Sequence, residues 1–294
     1  MTSSDPGSMN YSTRLRYFLW AARESKYRNH SCPGCESSST HQVRRKMLVT
    51  ALWECRTCRL RFRVPKESPD SAAEFYQREY EAGFGTDLPS DRALEALLDR
   101  GFKGGEKDYQ PYIDVLGAVG LRPGQSILDF GCSWGYGSWQ FRQAGFRVQS
   151  YEVSRIRSDF ARRKLGCTIV EDVLKSGPAD CLFSAHVLEH LPDPNALFRI
   201  AETVLAPKGV VVCFLPNGEP TLERIYGSKR YHQLWGKVHP LLIGIDAAVI
   251  LARRHHYVAS VYTSPYDLRA IETNSSSGPT SGRELLLIAR KVRQ

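Results

Sequence analysis

The sequence contains no long apolar run. Its most apolar stretch, residues 241–252, is interrupted by Asp246 and falls short of the roughly 18 residues that a membrane span needs. Residues 1–12 are polar and have no apolar core of the kind found in secretory signals. Internal repeats and long low-complexity tracts are also missing. These absences exclude a membrane-spanning or repeat protein, and they predict a disordered lead-in and a location in the cytoplasm.

Extremes of composition are missing too. Hydrophobic residues make up 42% of the chain and charged residues 24%, which excludes collagen-like and wholly disordered proteins. The length of 294 residues is about twice that of a usual domain. We therefore expect one large globular domain accompanied by a small one.

Acidic residues are scarce near the N-terminus. Residues 14–66 hold 13 Lys or Arg and only three acids, whereas the remainder of the chain holds 27 basic and 28 acidic residues. All of the net charge of +9 therefore comes from one N-terminal module. Such a module favours an anionic partner, such as a nucleic acid, a phosphorylated substrate or an acidic membrane surface, unless the charge only solvates a small domain.

Four of the eight cysteines form two C-x2-C pairs that are separated by 19 residues. This spacing directs four thiolates at one ion and predicts a structural zinc site in a ribbon. Two disulfides are improbable in a chain with no export signal, and a redox C-x2-C would not need a second pair. The other four cysteines are scattered among apolar residues, as buried thiols usually are. The predicted zinc ligands are Cys32, Cys35, Cys55 and Cys58.

Shifts in composition divide the chain into four predicted parts. These are a disordered lead-in with a basic amphipathic helix (1–29), the four-cysteine zinc ribbon (30–66), a linker with a helical cap (67–108) and a main domain (109–294). In the first part an apolar stripe recurs at helical spacing, at Leu15, Phe18, Leu19 and Ala22. We expect this stripe to pack against the zinc module, and a membrane surface is the alternative.

Short apolar runs alternate with amphipathic helical segments throughout the main domain. This alternation predicts an α/β fold in which a parallel sheet carries helices on both faces. The last two runs are joined by a polar loop with no room for a crossover helix, so these strands should be antiparallel. We therefore predict a doubly wound, seven-stranded sheet with an antiparallel last strand. The predicted strands are 126–130, 147–151, 168–170, 180–184, 210–215, 258–263 and 284–290.

The first of these strands delivers Asp129 into a glycine-rich turn that opens a helix. Glycine lets the backbone approach a ligand closely, and the helix N-terminus offers free N–H groups. Glu152 ends the next strand, where a carboxylate can accept hydrogen bonds from two ribose hydroxyls. Asp172 follows the third strand, where it is placed to hold an adenine amino group. The spacing indicates a ligand that contains adenosine.

The stretches ILDFGCSWGYGSW, VQSYEVS, VEDV and HVLEHLPDP, the last followed by LAPKGVVV, resemble class I S-adenosylmethionine (SAM)-dependent methyltransferases. The order of ribbon and main domain resembles a bacterial subgroup that is associated with sugars, polysaccharides and secondary metabolites. The resemblance spans roughly residues 30–290, and it implies a Rossmann-like fold and SAM as the cofactor. A nicotinamide dinucleotide is the alternative ligand, but its G-x-G-x-x-G turn is not present.

The resemblance also implies roles for individual residues of the cofactor pocket. Glu152 would bind ribose, Asp172 would bind adenine, and Ala185 and His186 would border the methyl group. One departure concerns Ser133, which stands where the family has the middle glycine of its turn. The residues implied to shape the methionine end of the pocket are Asp129, Gly131, Ser133 and Gly135.

His186, Glu189 and His190 form an H-x-x-E-H pattern that superficially resembles an inverted zinc-protease motif. A protease needs both histidines on one helix face, whereas this pattern begins at a strand end and meets Pro192. As an alternative, the three residues hold a divalent ion, as their counterparts do in quinone-type O-methyltransferases that have a carboxylate at the first position. The favoured interpretation is that Glu189 and His190 order the loop under the cofactor.

Residues 217–240 follow the fifth strand and are rich in Tyr, His and Trp, which predicts a substrate lid. Its hydrogen-bonding or ionisable candidates are Tyr226, Tyr231, His232 and His239. We expect His239, beside Pro240, to be the general base, if the acceptor needs one. The predicted catalytic set is His239, His186 and Tyr231.

Three functions remain open from the sequence. The favoured one is methyl transfer from SAM to a small-molecule acceptor such as a sugar, a nucleotide-sugar or a natural product, with the basic ribbon holding a phosphate or capping the site. The alternatives are an RNA methyltransferase that uses the basic module, and a non-catalytic SAM-binding protein. Sugar C-methyltransferases that this chain resembles carry a further C-terminal domain, so we expect transfer to oxygen or nitrogen.

Overall fold

The computed structural model describes residues 11–27, 29–46, 48–67, 87–275 and 281–292. Residues 1–10, where the lead-in was predicted, and residues 68–86 of the predicted linker lie outside the described residues. In the described part of the chain, a small antiparallel sheet and a large mixed sheet share one hydrophobic core.

The N-terminal part contains one helix, α1 (Tyr11–Arg23), followed by a 3-10 turn and three strands. The strands pair in the antiparallel order β1-β2-β3, as expected for a ribbon. A fourth strand, β8, joins the edge of β3, although it comes from the region after the predicted lid. The four strands are β1 (Thr40–Lys46), β2 (Thr50–Cys55), β3 (Arg61–Val64) and β8 (Leu241–Leu242).

The apolar stripe of helix α1 does not pack against the ribbon, so that prediction is wrong. Leu15, Phe18 and Leu19 are 48%, 40% and 63% exposed. The helix instead buries Tyr17 and Trp20. The Tyr17 hydroxyl lies 2.7 Å from Thr50 Oγ1, and the Arg63 guanidinium stacks on the Trp20 ring at 4.3 Å. Large aromatic rings are favourable to bury where polar partners are available, which explains why the helix buries Tyr17 and Trp20 rather than the predicted apolar stripe.

The large sheet has the strand order β5-β4-β6-β7-β10-β9. Neighbours from β5 to β7 are parallel, and β10 is antiparallel to both β7 and β9. The predicted doubly wound plan with an antiparallel last strand is therefore confirmed. The strands are β4 (Ser126–Phe130), β5 (Arg147–Tyr151), β6 (Ala179–Ala185), β7 (Leu205–Pro216), β9 (Tyr257–Thr263) and β10 (Glu284–Lys291).

The large sheet has six strands in the described residues rather than the predicted seven. Residues 168–170 make a single bridge, between Ile169 and Ser150. The chain then leaves the sheet, because the Asp172 side chain accepts the backbone N–H of Leu174 and starts a 3-10 turn. The segment is thus too short to form a ladder beside β5.

Helices cover both faces of the large sheet. Alternate residues of one strand serve the two sides, as Leu182 packs in one core cluster and Phe183 in the other. None of the helices in the described ranges is long and apolar enough to cross a membrane. The helix α2 (Asp91–Asp99) lies in the segment predicted as a helical cap. The helices of the main domain are α3 (Gln110–Val119), α4 (Tyr136–Gln143), α5 (Arg155–Leu165), α6 (Ala196–Val204), α7 (Leu222–Tyr226), α8 (Ser228–Gln233), α9 (Ile245–Arg254) and α10 (Leu268–Glu272).

The ribbon is joined to the main domain by apolar packing. Leu60 and Phe62 of the ribbon are buried in the same cluster as Leu251 of α9. A Cβ atom at Gly34 would lie 3.0 Å from side-chain atoms of both Leu60 and Leu251. The small residue between the first two cysteines therefore allows the ribbon to approach the helix closely.

Candidate cofactor and acceptor site

The turn after β4 is built on a buried carboxylate. Asp129 is 3% exposed, and its Oδ2 accepts a hydrogen bond of 2.5 Å from the Ser138 hydroxyl of α4. The Ser150 hydroxyl of β5 donates in turn to Ser138 at 2.8 Å. Burial, with a smaller contribution from Glu152, raises the pKa of Asp129 to about 7, although the Ser138 donor opposes this shift. Asp129 thus ties β4, α4 and β5 together beneath the turn.

Two glycines of the turn occupy positions that no side chain fits. Gly131 has φ +86°, and a Cβ atom there would lie 2.3 Å from Cγ2 of Val187. Gly135 has φ +89°, and its Cβ atom would lie 2.8 Å from Cβ of Ala161. Both the backbone conformation and the close approach therefore require glycine. The role of these two glycines in shaping the cofactor pocket stays a prediction.

Ser133, the departure from the family pattern, also adopts a left-handed backbone conformation, with φ +53°. Such a conformation costs an L-residue roughly 1–2 kcal/mol. Two contacts offset this cost. The Ser133 hydroxyl accepts from Arg157 Nη1 at 2.8 Å, and its backbone N–H donates to Glu152 Oε2 at 2.9 Å. The serine therefore keeps the turn in the conformation that glycine would adopt.

Glu152 follows β5 and faces a cleft of about 450 Å³. Its Oε1 accepts the backbone N–H of Ser154 at 2.8 Å, so each carboxylate oxygen already has one N–H donor. Burial raises the pKa of Glu152, and these N–H groups oppose the shift. The lining residues of the cleft include Tyr151, Glu152, Val153, Ile169, Val170 and Glu171.

Asp172, predicted to hold adenine, is not among the residues that line this cleft. Its Oδ1 accepts from Leu174 N at 3.1 Å, and its Oδ2 lies 3.4 Å from Lys175 Nζ. The neighbouring Glu171, 91% exposed, lines the cleft instead. Contact between Asp172 and adenine stays a prediction.

His186 lies directly after Ala185, the last residue of β6, at the carboxyl edge of the sheet. It has φ +57° and a side chain that is 43% exposed. Its Nε2 is 2.7 Å from Glu284 Oε1, and its Nδ1 is 3.7 Å from Glu189 Oε1. Burial opposes a charge on the ring, but the two carboxylates outweigh it and raise the pKa of His186 to about 10. His186 is therefore a cation at neutral pH.

Glu284 was not foreseen from the sequence. It begins β10, and besides His186 it accepts from the hydroxyls of Tyr112 at 2.9 Å and Tyr266 at 2.6 Å. Its pKa is lowered, because these donors and the His186 charge outweigh its burial. The predicted antiparallel strand could have indicated this residue, because a strand that runs antiparallel to its neighbours starts at the edge of the sheet where the parallel strands end.

A second group lies next to His186 and contains Glu189, His190 and the lid residue His239. Their ligand atoms lie within 4.8 Å of one another, and Glu189 is 3% exposed with no hydrogen bond to either carboxylate oxygen. His190 Nδ1 lies 2.8 Å from the Val238 carbonyl, and His239 Nδ1 lies 3.2 Å from the Leu234 carbonyl. These contacts assign the proton of each ring to Nδ1. The H-x-x-E-H segment thus contacts the lid.

Burial and charge separate the roles of these groups. Burial, reinforced by the neighbouring His239, lowers the pKa of His190 to about 4, and burial also lowers the pKa of His239. Burial opposes the charge on Glu189, but the neighbouring His186, which has the largest opposing effect, lowers its pKa to about 2. At neutral pH the group therefore contains an anionic Glu189, two neutral rings and the neighbouring cationic His186.

Comparison with known proteins identifies the class of this site. Residues 93–241, just over half of the chain, match the family of methyltransferase domains. The chain belongs to this family. The protein is consequently a SAM-dependent methyltransferase, as the sequence motifs indicated.

Two relatives illustrate the similarity. The methyltransferase is 29% identical over 150 residues to the ubiquinone biosynthesis O-methyltransferase of Idiomarina loihiensis, which covers 43% of this chain and 62% of that protein. It is 25% identical over 190 residues to the malonyl-(acyl-carrier protein) O-methyltransferase of Serratia marcescens, which covers 60% of this chain and 73% of that protein. The chain thus spans less than two thirds of the ubiquinone-type relative.

Solved structures agree on the fold. One is from the complex between the Haloferax volcanii Trm112 methyltransferase activator and its methyltransferase, with a TM-score of 0.50 and 13% identity, covering 68% of this chain and 96% of that chain. The plantazolicin methyltransferase BamL gives a TM-score of 0.50 and 12% identity, covering 75% and 94%. At these identities the likeness shows a Rossmann-like methyltransferase fold.

Tyr231 lies inside the lid of the methyltransferase and not at its surface. The side chain is fully buried, its hydroxyl accepts from Arg61 Nη1 at 2.7 Å, and it donates to the Gly218 carbonyl at 3.4 Å. Burial raises the pKa of Tyr231, and Arg61 opposes the shift. This environment favours a structural role for Tyr231, because its hydroxyl already has two partners, and its catalytic role stays a prediction.

The four cysteines of the ribbon converge as predicted. Cys32 Sγ lies 3.4 Å from Cys58 Sγ, and Cys35 Sγ lies 3.5 Å from Cys55 Sγ. These separations are far longer than a disulfide bond of about 2.05 Å and are close to the S···S spacing around a tetrahedral ion. The backbone N–H of Cys58 points at Cys55 Sγ at 3.5 Å. The donor set fits a zinc ion.

Proposed function

We propose that the protein transfers a methyl group from SAM to an oxygen or nitrogen atom of a small-molecule acceptor. The observation that carries this proposal is the position of two groups at one edge of the sheet. The cofactor turn follows β4, and the His186 group follows β6, the strand paired directly with β4. The lid contacts the second group through His239. A cofactor and an acceptor can therefore meet between them.

The residues present fit SAM. Glu152 would hold the ribose hydroxyls, Asp172 the adenine amino group, and Ala185 and His186 would border the reactive end. When bound, SAM supplies an electrophilic methyl group on a sulfonium centre. The residues proposed for its methionine end are Asp129, Gly131, Ser133 and Gly135.

His239 is the proposed proton acceptor where the acceptor atom must lose a proton. Its lowered pKa keeps the ring neutral at neutral pH, and its Nε2 is the unprotonated nitrogen. His186 is less suited to this role because it is already protonated. We propose instead that His186 donates a hydrogen bond that orients the acceptor, and that Glu284 holds its ring in place.

The charge distribution supports a small acceptor over RNA. Arg44 pairs with Glu223 of the lid, and Arg61 binds Glu54 and Tyr231, so these side chains are engaged within the chain. The names of both relatives specify O-methyl transfer, which agrees with the proposal. Within it, the ribbon holds one structural zinc ion through Cys32, Cys35, Cys55 and Cys58, and the cytoplasm is the proposed location.

A two-step experiment tests the proposed function. Calorimetry should show that the purified protein binds SAM and S-adenosylhomocysteine, and mass spectrometry should then detect a methylated product in a panel of sugars, nucleotide-sugars and phenolic natural products. His239→Ala should reduce turnover, whereas His256→Ala, which changes an exposed histidine outside the site, should not. Failure to bind SAM, or turnover of RNA alone, would contradict the proposal.

A further inference from the structure

The short strand that follows the proposed lid joins the antiparallel sheet of the ribbon. Strand β8, directly after the lid, pairs with β3 of the ribbon, with Leu241 opposite Phe62 and Leu242 opposite Arg61. The backbone N–H of Arg63 extends this pairing by donating to the Pro240 carbonyl at 2.8 Å. The end of the lid is therefore held by ribbon backbone, although the two segments lie far apart in the sequence.

Basic side chains of the ribbon reach the remainder of the lid. Arg63 Nη1 donates to the carbonyls of Gly236 at 2.6 Å and Lys237 at 2.9 Å. Lys46 donates to the Trp235 carbonyl and lies 4.7 Å from the centre of the Trp235 ring. A charged donor on a buried carbonyl forms a stronger hydrogen bond than a neutral donor. Part of the positive charge of the ribbon thus serves to fix the lid.

Arg61 is a buried ribbon side chain that donates a hydrogen bond to a lid side chain. It is 10% exposed, its Nε donates to Glu54 Oε2 at 2.7 Å, and its Nη1 donates to the Tyr231 hydroxyl at 2.7 Å. Tyr231 belongs to an apolar cluster that spans ribbon and lid. The members of that cluster are Leu52, Leu222, Tyr231, Trp235 and Leu242.

The opposite side of the lid contacts the acceptor side of the site. Val238 binds His190 through its carbonyl, and the His239 ring lies 4.6 Å from the His190 ring. A continuous set of contacts therefore runs from Glu54 and Arg61 through Tyr231 and the following residues to His239. The lid is therefore held on one side by the ribbon and on the other side by the loop after β6.

We propose that Arg61 is a positioning residue for the acceptor site, which it sets by holding the lid through Tyr231. This inference rests on the proposed function only in treating residues 217–240 as the acceptor lid. The ribbon is thereby part of the catalytic unit and not an appended nucleic-acid module. Loss of the Arg61–Tyr231 hydrogen bond loosens the lid while leaving the cofactor turn intact.

Arg59 provides a matched control for Arg61. Both side chains pair with Glu54, Arg59 through Nη1 at 2.8 Å, but Arg59 is 52% exposed, and among the described residues its ion pair is with Glu54 of the ribbon and not with the lid. We would compare Arg61→Ala, Arg61→Lys, Arg59→Ala and Tyr231→Phe. For each variant, mass spectrometry measures amide hydrogen exchange in residues 222–239, metal analysis measures zinc content, and calorimetry measures SAM affinity.

We expect Arg61→Ala to accelerate exchange in the lid by about tenfold, because a buried charged hydrogen bond is lost. Tyr231→Phe, which removes only the hydroxyl, should give about a threefold acceleration, and Arg61→Lys should be intermediate since lysine cannot bind both partners at once. Arg59→Ala should resemble the unmodified protein. SAM affinity should stay within twofold in all four, and with any acceptor found, KM for the acceptor should rise more than kcat falls.

Equal lid exchange in Arg61→Ala and Arg59→Ala would overturn the inference. If Arg61→Ala loses zinc, the Tyr231→Phe variant provides the test instead. Hydrogen exchange in the lid of Tyr231→Phe that equals the exchange in the unmodified protein would also overturn the inference. The exchange measurement needs no acceptor. Failure of the unmodified protein to bind SAM would therefore contradict the proposed function while leaving the result for the lid valid.

Discussion

The cofactor half and the acceptor half of the site are built over very different distances along the chain. In the cofactor half, Asp129 binds Ser138 nine residues later, and Ser133 binds Glu152 nineteen residues later. In the acceptor half, Arg61 binds Tyr231 across 170 residues. A turn whose partners lie within about one βαβ unit leaves a pattern in the sequence. A lid held by a remote module leaves no such pattern.

The two halves also use charge differently. The proposed cofactor half contains two buried carboxyl groups, Asp129 and Glu152, and burial raises the pKa of both. The acceptor half instead contains the His186 cation between Glu189 and Glu284. Removing one element from each half should therefore have separable effects.

The largest expected effect comes from breaking the ribbon. Cys55→Ser should reduce zinc from about one ion per chain to almost none, because a tetrahedral thiolate site needs all four ligands. The lid should then lose protection against hydrogen exchange, while SAM affinity falls little. Metal analysis and calorimetry check the two parts, with Cys213→Ser, a buried thiol outside the ribbon, as the control for zinc content. Unchanged zinc content in Cys55→Ser would falsify the zinc site.

A change at Glu152, in contrast to one in the ribbon, should affect the cofactor half alone. Glu152→Ala removes a buried carboxylate proposed to bind both ribose hydroxyls, and it should weaken SAM binding by about 2 kcal/mol, or roughly 30-fold. Glu171→Ala is the matched control, since it removes an exposed carboxylate from the same cleft. Calorimetry measures both, and an affinity of Glu152→Ala within a factor of two of the unmodified protein would contradict the assignment.

The cofactor half and the acceptor half also differ in how much of their structure can be predicted from the sequence. The alternation of strands and helices, the antiparallel β10, the glycine-rich turn and the convergence of the four cysteines all follow from local patterns, and the structure agrees with them. The stripe of α1 was assigned to the wrong face, because apolar spacing does not reveal that Tyr17 and Trp20 have polar partners on β2 and β3. The hydrogen bond between Arg61 and Tyr231 could not be predicted, because composition alone does not show which remote side chain meets a tyrosine of the lid.

A smaller effect is expected for the pKa of His186, which lies beside Glu284 at the start of β10. Glu284→Gln removes one of two carboxylates beside His186, so the pKa of His186 should fall from about 10 by roughly one unit or more. Tyr266→Phe, which removes only a hydrogen bond to Glu284, should shift it less. NMR titration of labelled histidine measures both variants. A pKa of His186 that is the same in Glu284→Gln and in the unmodified protein would contradict the pairing.

The raised pKa of His186 also determines how the stability of the protein should change with pH. Because the folded-state pKa of His186 is raised, its stabilising contribution is fully present below about pH 6.5 and is lost as the pH rises through about 10. The difference in melting temperature between the unmodified protein and Glu284→Gln should therefore be largest near neutral or mildly acidic pH and shrink toward pH 10. A difference that grows toward pH 10 would contradict this assignment.

The smallest effect is expected for RNA binding, and it tests whether the basic ribbon serves the lid or a nucleic acid. If six basic side chains contacted the backbone of a single strand, log K against log salt would have a slope of roughly −4. Four of these six basic side chains already bind other residues of the protein, namely Arg44, Lys46, Arg59 and Arg61. Arg45 and Arg56 are exposed, which limits the slope to about −1.5.

We therefore expect weak RNA binding that is insensitive to sequence and little changed by Arg45→Ala. Fluorescence anisotropy with single-stranded RNA between low and physiological salt provides the measurement. Sub-micromolar, sequence-selective binding with a slope near −4 would mean that the ribbon releases the lid to engage RNA. In that case the contacts of Arg44, Lys46 and Arg61 with the lid would have to break, and lid exchange should rise when RNA is added. The same exchange measurement on the lid thus separates the two roles of the ribbon.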